Sequence, residues 1–193
     1  MIVLIDNGHG IDTPGKRSPD GKLREYKYCR QIAYFIYMEL IKEGIESKLI
    51  VEEDYDVSLA ERCRRVNLHK DAILISIHLN AAGNGQWMSA RGWEAWTTPG
   101  KTKSDKLATL LYEQAEKYLP GMKIRKDVSD GDPDKESNFY ILKKTNCPAV
   151  LTENLFQDNK EDVAFLTSQE GINAIVNLHV EAIKKYLYEI YQL

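Results

Sequence analysis

The chain has 193 residues, 43% of them hydrophobic and 28% charged, which suits one packed domain and excludes a disordered segment. Its net charge of −3 argues against a broad basic face for nucleic acid or anionic lipid. No apolar run approaches the ~18 residues of a membrane span, and the three cysteines (Cys29, Cys63 and Cys147) are too few and too irregularly spaced for a disulfide framework or a metal knuckle, so they read as buried thiols.

In chain order, residues 2–6 are a continuous aliphatic run, the pattern of a strand covered on both faces. No basic segment precedes this run and Asp6 and Asn7 cut it short, so it reads as a strand and not as a secretory leader. Gly8-His9-Gly10 breaks it, and residues 10–22 form a polar loop. From 23 to 43 the apolar positions Cys29, Ile32, Ala33, Ile36, Tyr37, Leu40 and Ile41 recur at helical spacing, with Gly44 as the stop. Glu25 extends that inward stripe at the first turn. Residues 45–51 predict a second strand. Ser58 and Glu61 predict a capping box at the head of a short helix, with His69 at its end. Residues 72–79 predict a third, central strand. A loop over 80–91, a strand over 92–97, a helix over 102–119 and a polar loop over 127–138 follow. Strands at 139–143 and 148–153 and a final helix over 169–190 complete the chain, with His179 on the apolar stripe of that helix. Alternating strands and helices predict an α/β three-layer sandwich, with a mostly parallel central sheet of about six strands flanked by helices, built as one domain over 1–193.

Three polar residues end apolar strands. They are His9 in MIVLIDNGHG, His78 in AILISIHLNA and Glu153 in PAVLTENLF; Glu25 opens the first helix. In open α/β sheets the functional crevice lies beyond the carboxyl ends of the strands. Two imidazoles and a carboxylate suit a zinc ion that keeps one position open for water, and a further glutamate there can move protons. Each residue also has a plainer reading. A strand-end histidine can simply be hydrogen-bonded, and a glutamate at a helix start can simply oppose the helix dipole. Glu153 is harder to explain that way, because an ionised carboxylate after Ala149, Val150, Leu151 and Thr152 is costly unless it is paired or bound to metal.

The blocks IDNGHG, SLAERCRRVN, ILISIHLNA, GWEAW and CPAVLTENLFQDN occur in an order that resembles the zinc-dependent N-acetylmuramoyl-L-alanine amidases of the Amidase_3 type, and the resemblance runs over essentially the whole chain. It implies a peptidoglycan substrate, hydrolysed at the amide between N-acetylmuramic acid and L-alanine. It implies Zn²⁺ held by His9, Glu25 and His78, with Glu153 as the catalytic glutamate. Asn80 would line the cleft. Glu94 matches a family glutamate whose role lies between supporting the site and structure, and Arg62 and Asn67 read as structural. Two departures stand out: Asn7 replaces the family's proline before Gly-His-Gly, and Asn154 replaces a small residue after the glutamate. Asn154 is therefore expected to bond substrate or water. Trp87, Trp96 and Tyr140 offer stacking surfaces, whereas Trp93 reads as core.

Besides a metal-free α/β domain in which the histidines are structural, two rival readings use the same residues. One is a zinc peptidase or deacetylase of the same architecture. The other is a non-catalytic wall-binding module, which would have no need of Glu153. The expected protein is a monomer that needs no activator. It is made in the cytoplasm and reaches the wall after release, as phage lysins do, or else a secretion signal has been removed from it.

Overall fold

The aliphatic run after Met1 forms β1 (Ile2–Asn7), and the helical stripe forms α1 (Glu25–Lys42). The computed structural model describes residues 1–191, with side chains as far as Ile190. After α1 come β2 (Ser47–Leu49), α2 (Leu59–Val66), β3 (Ala72–Asn80), β4 (Glu94–Thr97) and α3 (Lys103–Tyr118). The chain then runs through β5 (Lys135–Glu136), α4 (Tyr140–Lys143), β6 (Ala149–Phe156), α5 (Lys160–Leu166) and α6 (Gln169–Tyr191).

The six strands form one sheet in the order β2-β1-β3-β6-β4-β5. β2, β1, β3 and β6 are mutually parallel, while β4 runs antiparallel to β6 and parallel to β5. The mostly parallel six-stranded sheet is therefore as expected, with a reversed edge. β3 is central because it can be: Ala72 to Ile77 are all buried, so both faces of the strand are covered.

Alternation along the strands divides two cores. Val3, Ile5, Ile73, Ile75 and Ile77 face α1, α3 and α6, whereas Leu4, Leu74 and Leu151 face Cys63 and Val66 of α2 and Ile141 and Leu142 of α4. That makes three layers. α1 buries Cys29, Ile32, Ala33, Ile36 and Leu40, while Ile41 lies outside the stripe. It stops where Gly44 takes a φ of 74°. There Ile45 N donates to Leu40 O and Gly44 N to Ile41 O, a Schellman closure that uses the last carbonyls.

Several elements differ from expectation. Residues 140–143 are a helical turn and not a strand, because the short run Phe139 to Leu142 is apolar without a decisive period; Ile141 and Leu142 bury side by side against α2. The loop 127–138 contains the short β5. A helix, α5, lies where none was read, opened by Asn159, whose side chain accepts from Glu161 N and Asp162 N. At α2 only half of the capping box forms. Ser58 accepts from Glu61 N, but the Glu61 carboxylate turns outward to Arg64 and Arg65.

Candidate metal centre

The loop after β1 is shaped around the candidate ligands. His9 sits at φ 63°, a left-handed conformation that a residue with a Cβ adopts only at a cost. A buried guanidinium holds it there. Arg62 of α2 donates to Asp6 Oδ1 (2.7 Å), Asn7 O (2.6 Å), Val57 O (2.7 Å), Asp56 Oδ1 (3.0 Å) and, more loosely, His9 O (3.4 Å). Arg62 is thus the structural residue expected, and it clamps the backbone that carries His9. The flanking glycines are required by close approach. A Cβ on Gly8 would lie 2.5 Å from the His78 ring, and one on Gly10 would lie 2.1 Å from Asp56 N.

β3 and β6 bring up the second half of the site. His78 and Glu153 are direct register partners, and Glu153 is in turn the partner of Glu94 on β4. Register partners share a face, so His78, Glu153 and Glu94 form one row across three strands. Just beyond, the register shifts between His78 and Asn80, and Leu155 takes a φ of 68°. Glu25 reaches this row from the first turn of α1, fully buried. Its Oε1 lies 3.4 Å from His9 Nε2 and 3.3 Å from His78 Nδ1. Leu79 N donates to the same oxygen at 3.1 Å, and Gln157 Nε2 donates to Oε2 at 3.0 Å. The ligand atoms of His9, Glu25 and His78 all lie within 4.8 Å of one another, an arrangement that can hold a metal ion. The imidazoles cross edge to face, 5.1 Å apart at 90°.

The charges of this cluster are interdependent. Burial alone would raise the Glu25 carboxyl, but hydrogen bonds from His78 and His9 hold it well below the usual range. Burial would lower the His78 imidazolium, yet the Glu25 hydrogen bond and the Glu153 and Glu25 charges raise it. Glu153 is pushed up to about 8, first by burial and then by the Glu25 and Glu94 charges, against the pull of His78. Its Oε2 is buried and has no hydrogen-bond partner among the described residues.

The other expected residues divide. Asn80 lies beside the row and donates to Glu94 Oε1 at 2.8 Å. Glu94 is buried and also accepts from Trp96 Nε1 (3.2 Å) and Arg125 Nε (2.5 Å), so it supports the row and braces the sheet at once. Asn154 is a correction. Instead of facing substrate it is fully buried, accepting from Trp93 Nε1 (2.9 Å) and donating to His78 O (3.1 Å) and Thr152 Oγ1 (3.0 Å). Alternation places it on the face opposite Glu153. Trp93 is core, as expected, packed edge to face on Tyr112 at 5.0 Å. Trp87 and Trp96 are half-buried and Tyr140 is exposed. His179 is a core residue, with Nδ1 2.7 Å from Ile175 O and Nε2 3.0 Å from Thr152 Oγ1. Gln157 escaped the sequence reading. Only the fold aims its side chain at Glu25.

Comparison with known proteins agrees with this geometry. The family model for N-acetylmuramoyl-L-alanine amidases of the Amidase_3 type matches residues 3–185. The chain belongs to that family. Its relatives include the endolysin of Bacillus phage SPP1, 28% identical over 96% of this chain and 66% of its own length. They also include the N-acetylmuramoyl-L-alanine amidase CwlM of Bacillus licheniformis, 30% identical over 95% of this chain and 67% of its own length. The chain thus spans about two thirds of the length of these relatives. Among solved structures, the N-acetylmuramoyl-L-alanine amidase of Clostridium difficile 630 superposes with a TM-score of 0.85 at 28% identity, over 96% of both chains. This family member therefore shares the fold of that enzyme.

Proposed function

We propose that the protein hydrolyses the amide between the lactyl group of N-acetylmuramic acid and L-alanine in peptidoglycan, with Zn²⁺ held by His9, Glu25 and His78. One observation carries this reading. A three-residue donor set lies directly beside a buried, unpartnered carboxylate on the neighbouring strand. The donors fit zinc. With metal–ligand distances of about 2.0–2.1 Å, neighbouring ligands of a tetrahedral centre stand about 3.3–3.4 Å apart, and the two imidazole-to-Glu25 separations are 3.4 and 3.3 Å. Zinc bound there supplies Lewis acidity and lowers the pKa of a bound water toward ~7.

The protein's own residues supply the rest. Glu153 accepts a proton from the attacking water and returns one to the leaving amine. Its Oε2 has no partner among the described residues, so that oxygen is free to take the proton. Glu25, with Oε2 held by Gln157, turns Oε1 toward both histidines. No serine or cysteine nucleophile is needed; burial pushes the Cys29 and Cys63 thiols up, away from reactivity.

The enzyme is proposed to act as a monomer without an activator, on walls it meets after release from the cell. In support, His9 and His78 keep 19% and 17% side-chain exposure, so substrate can approach the centre directly. The test is mass spectrometry of isolated cell walls digested by the purified protein plus zinc alone. New L-alanine amino termini beside intact sugars are expected, and chelator should abolish them. Release of stem-peptide fragments or of acetate would instead favour a peptidase or a deacetylase. Loss of wall turbidity only after a second protein is added would overturn activator-free action.

A further inference from the structure

The row of His78, Glu153 and Glu94 ends in a pair of cations that the proposed chemistry does not use. Arg125 Nε donates to Glu94 Oε2 at 2.5 Å, and Lys135 Nζ lies 3.4 Å from the same oxygen. Both are held against rings: the Arg125 guanidinium lies 5.2 Å from the centroid of Phe156, and the Lys135 ammonium 5.3 Å from that of Trp96. Glu94 is itself fully engaged, because Asn80 and Trp96 take its other oxygen. Two cations thus face one carboxylate within contact range. Asp127, whose charge reaches Lys135, turns its Oδ1 to Ser129 N at 3.1 Å. The terminal nitrogens of Arg125 have no hydrogen-bond partner among the described residues. The two side chains stay 28% and 23% exposed. A guanidinium with committed Nε and free Nη groups is a ready donor fork for an incoming carboxylate.

From this placement we infer that Arg125 and Lys135 form a subsite for a free carboxylate on the peptide portion of the substrate. This rests on the amidase reading and adds the kind of peptide that reading leaves open. Lys135 is on β5, next to β4, and Ile124, the residue before Arg125, bridges Trp93 at the head of β4. The backbone that carries the cations therefore stands about two strand spacings, roughly 10 Å, from that of Glu153, and their charged ends reach back to Glu94. An extended peptide covers that span in about three residues at ~3.3–3.6 Å each. The carboxylate recognised is thus on the second or third residue beyond the scissile amide. The aromatic contacts keep both cations pre-positioned, so binding it loses little side-chain entropy.

The experiment compares synthetic muropeptides that carry either a carboxylate or a carboxamide at the second or third peptide residue, with zinc present. The wild-type enzyme should cleave one carboxylate form about tenfold more efficiently than its amide, the difference lying in KM, as for loss of one charge-assisted hydrogen bond. Arg125→Ala and Lys135→Met should erase the preference, and Arg125→Lys should keep part of it. Lys135→Met leaves the Arg125–Glu94 pair in place, so a simple loss of sheet bracing is told apart from lost recognition. Equal cleavage of acid and amide by the wild type, or an undiminished preference in both the Arg125→Ala and Lys135→Met variants, would overturn the inference while the amidase reading stands. If none of the muropeptides is cleaved, both fall together.

Discussion

Gln157 is the residue whose role depends most on one contact. It is buried, and it holds the Glu25 oxygen that the histidines do not face. Outer partners that orient a metal-bound carboxylate are typically worth about 10–100-fold in affinity. Gln157→Leu should therefore weaken zinc binding by about that factor with the fold intact, measured by competition with a chromogenic chelator. His9→Ala and His78→Ala should lose stoichiometric zinc altogether, since each leaves two of three protein ligands. Glu153→Gln should behave differently. It should keep zinc and melt near the wild-type temperature, yet lose about 10²–10⁴-fold in rate. A near wild-type rate in that variant would remove Glu153 from the chemistry. Of these residues, His9, His78 and Glu153 were visible in the chain as polar ends of apolar strands. Gln157 was not, because Glu25 lies 132 positions away and no local pattern encodes a contact at that separation.

At the scale of elements, the join between α2 and the β1 loop holds His9 in place. Arg62 is 2% exposed and pairs with Asp6, itself 2% exposed, and Ser76 Oγ donates to the other Asp6 oxygen at 2.6 Å. Removing one member of a buried pair strands the other, at a cost of about 3–5 kcal/mol. Arg62→Met should show a loss of that size in chemical denaturation and should also lower zinc affinity, because the left-handed His9 backbone loses its clamp. A loss of stability without any change in zinc binding would confine Arg62 to the fold. A second join ties the last helix to the strand that carries His78. His179 of α6 meets Thr152, Thr152 meets Asn154, and Asn154 donates to the His78 carbonyl. The helical spacing of α6 pointed to His179 as a core residue. That its imidazole stands at one end of a hydrogen-bond chain to His78 depends on how α6 packs across the sheet.

That buried imidazole makes one identifiable contribution to the pH response of the whole molecule. Burial lowers the pKa of His179 from 6.5 to about 4, against a smaller raising effect of the Ile175 carbonyl. The folded state therefore binds this proton less readily than the unfolded chain. The stabilisation is complete above about pH 6.5 and is lost as pH falls from there toward about 4, a total on the order of 3 kcal/mol. Asp134 and Glu153, raised to about 7 and about 8, act in the opposite direction over the same range. The informative quantity is therefore a difference. His179→Gln should be less stable than wild type at pH 7.5, and the gap in melting temperature should narrow on going to pH 5. A gap that stayed constant would mean that His179 does not titrate in the fold. Metal held at the proposed centre would act on the whole molecule too. Zinc at about 100 times its dissociation constant should add about 2.7 kcal/mol of stability, and chelator should remove it.

Local chemistry was enough to determine the alternation of strands and helices, the buried central strand, the stop at Gly44 and the polar strand ends. Periodicity, turn residues and abrupt changes of polarity all act over a few neighbouring positions. The short apolar run at 139–143 lay beyond that reach, because five residues fit a strand or a helical turn equally well and only packing against α2 chose between them. So did Asn154, whose direction follows from strand alternation and from the indole of Trp93 waiting behind the sheet. Above all, the chain alone could not place Glu94 beside Glu153 or Arg125 and Lys135 beside Glu94. Those contacts depend on strand order and register, which arise when segments far apart in sequence bury their apolar faces together.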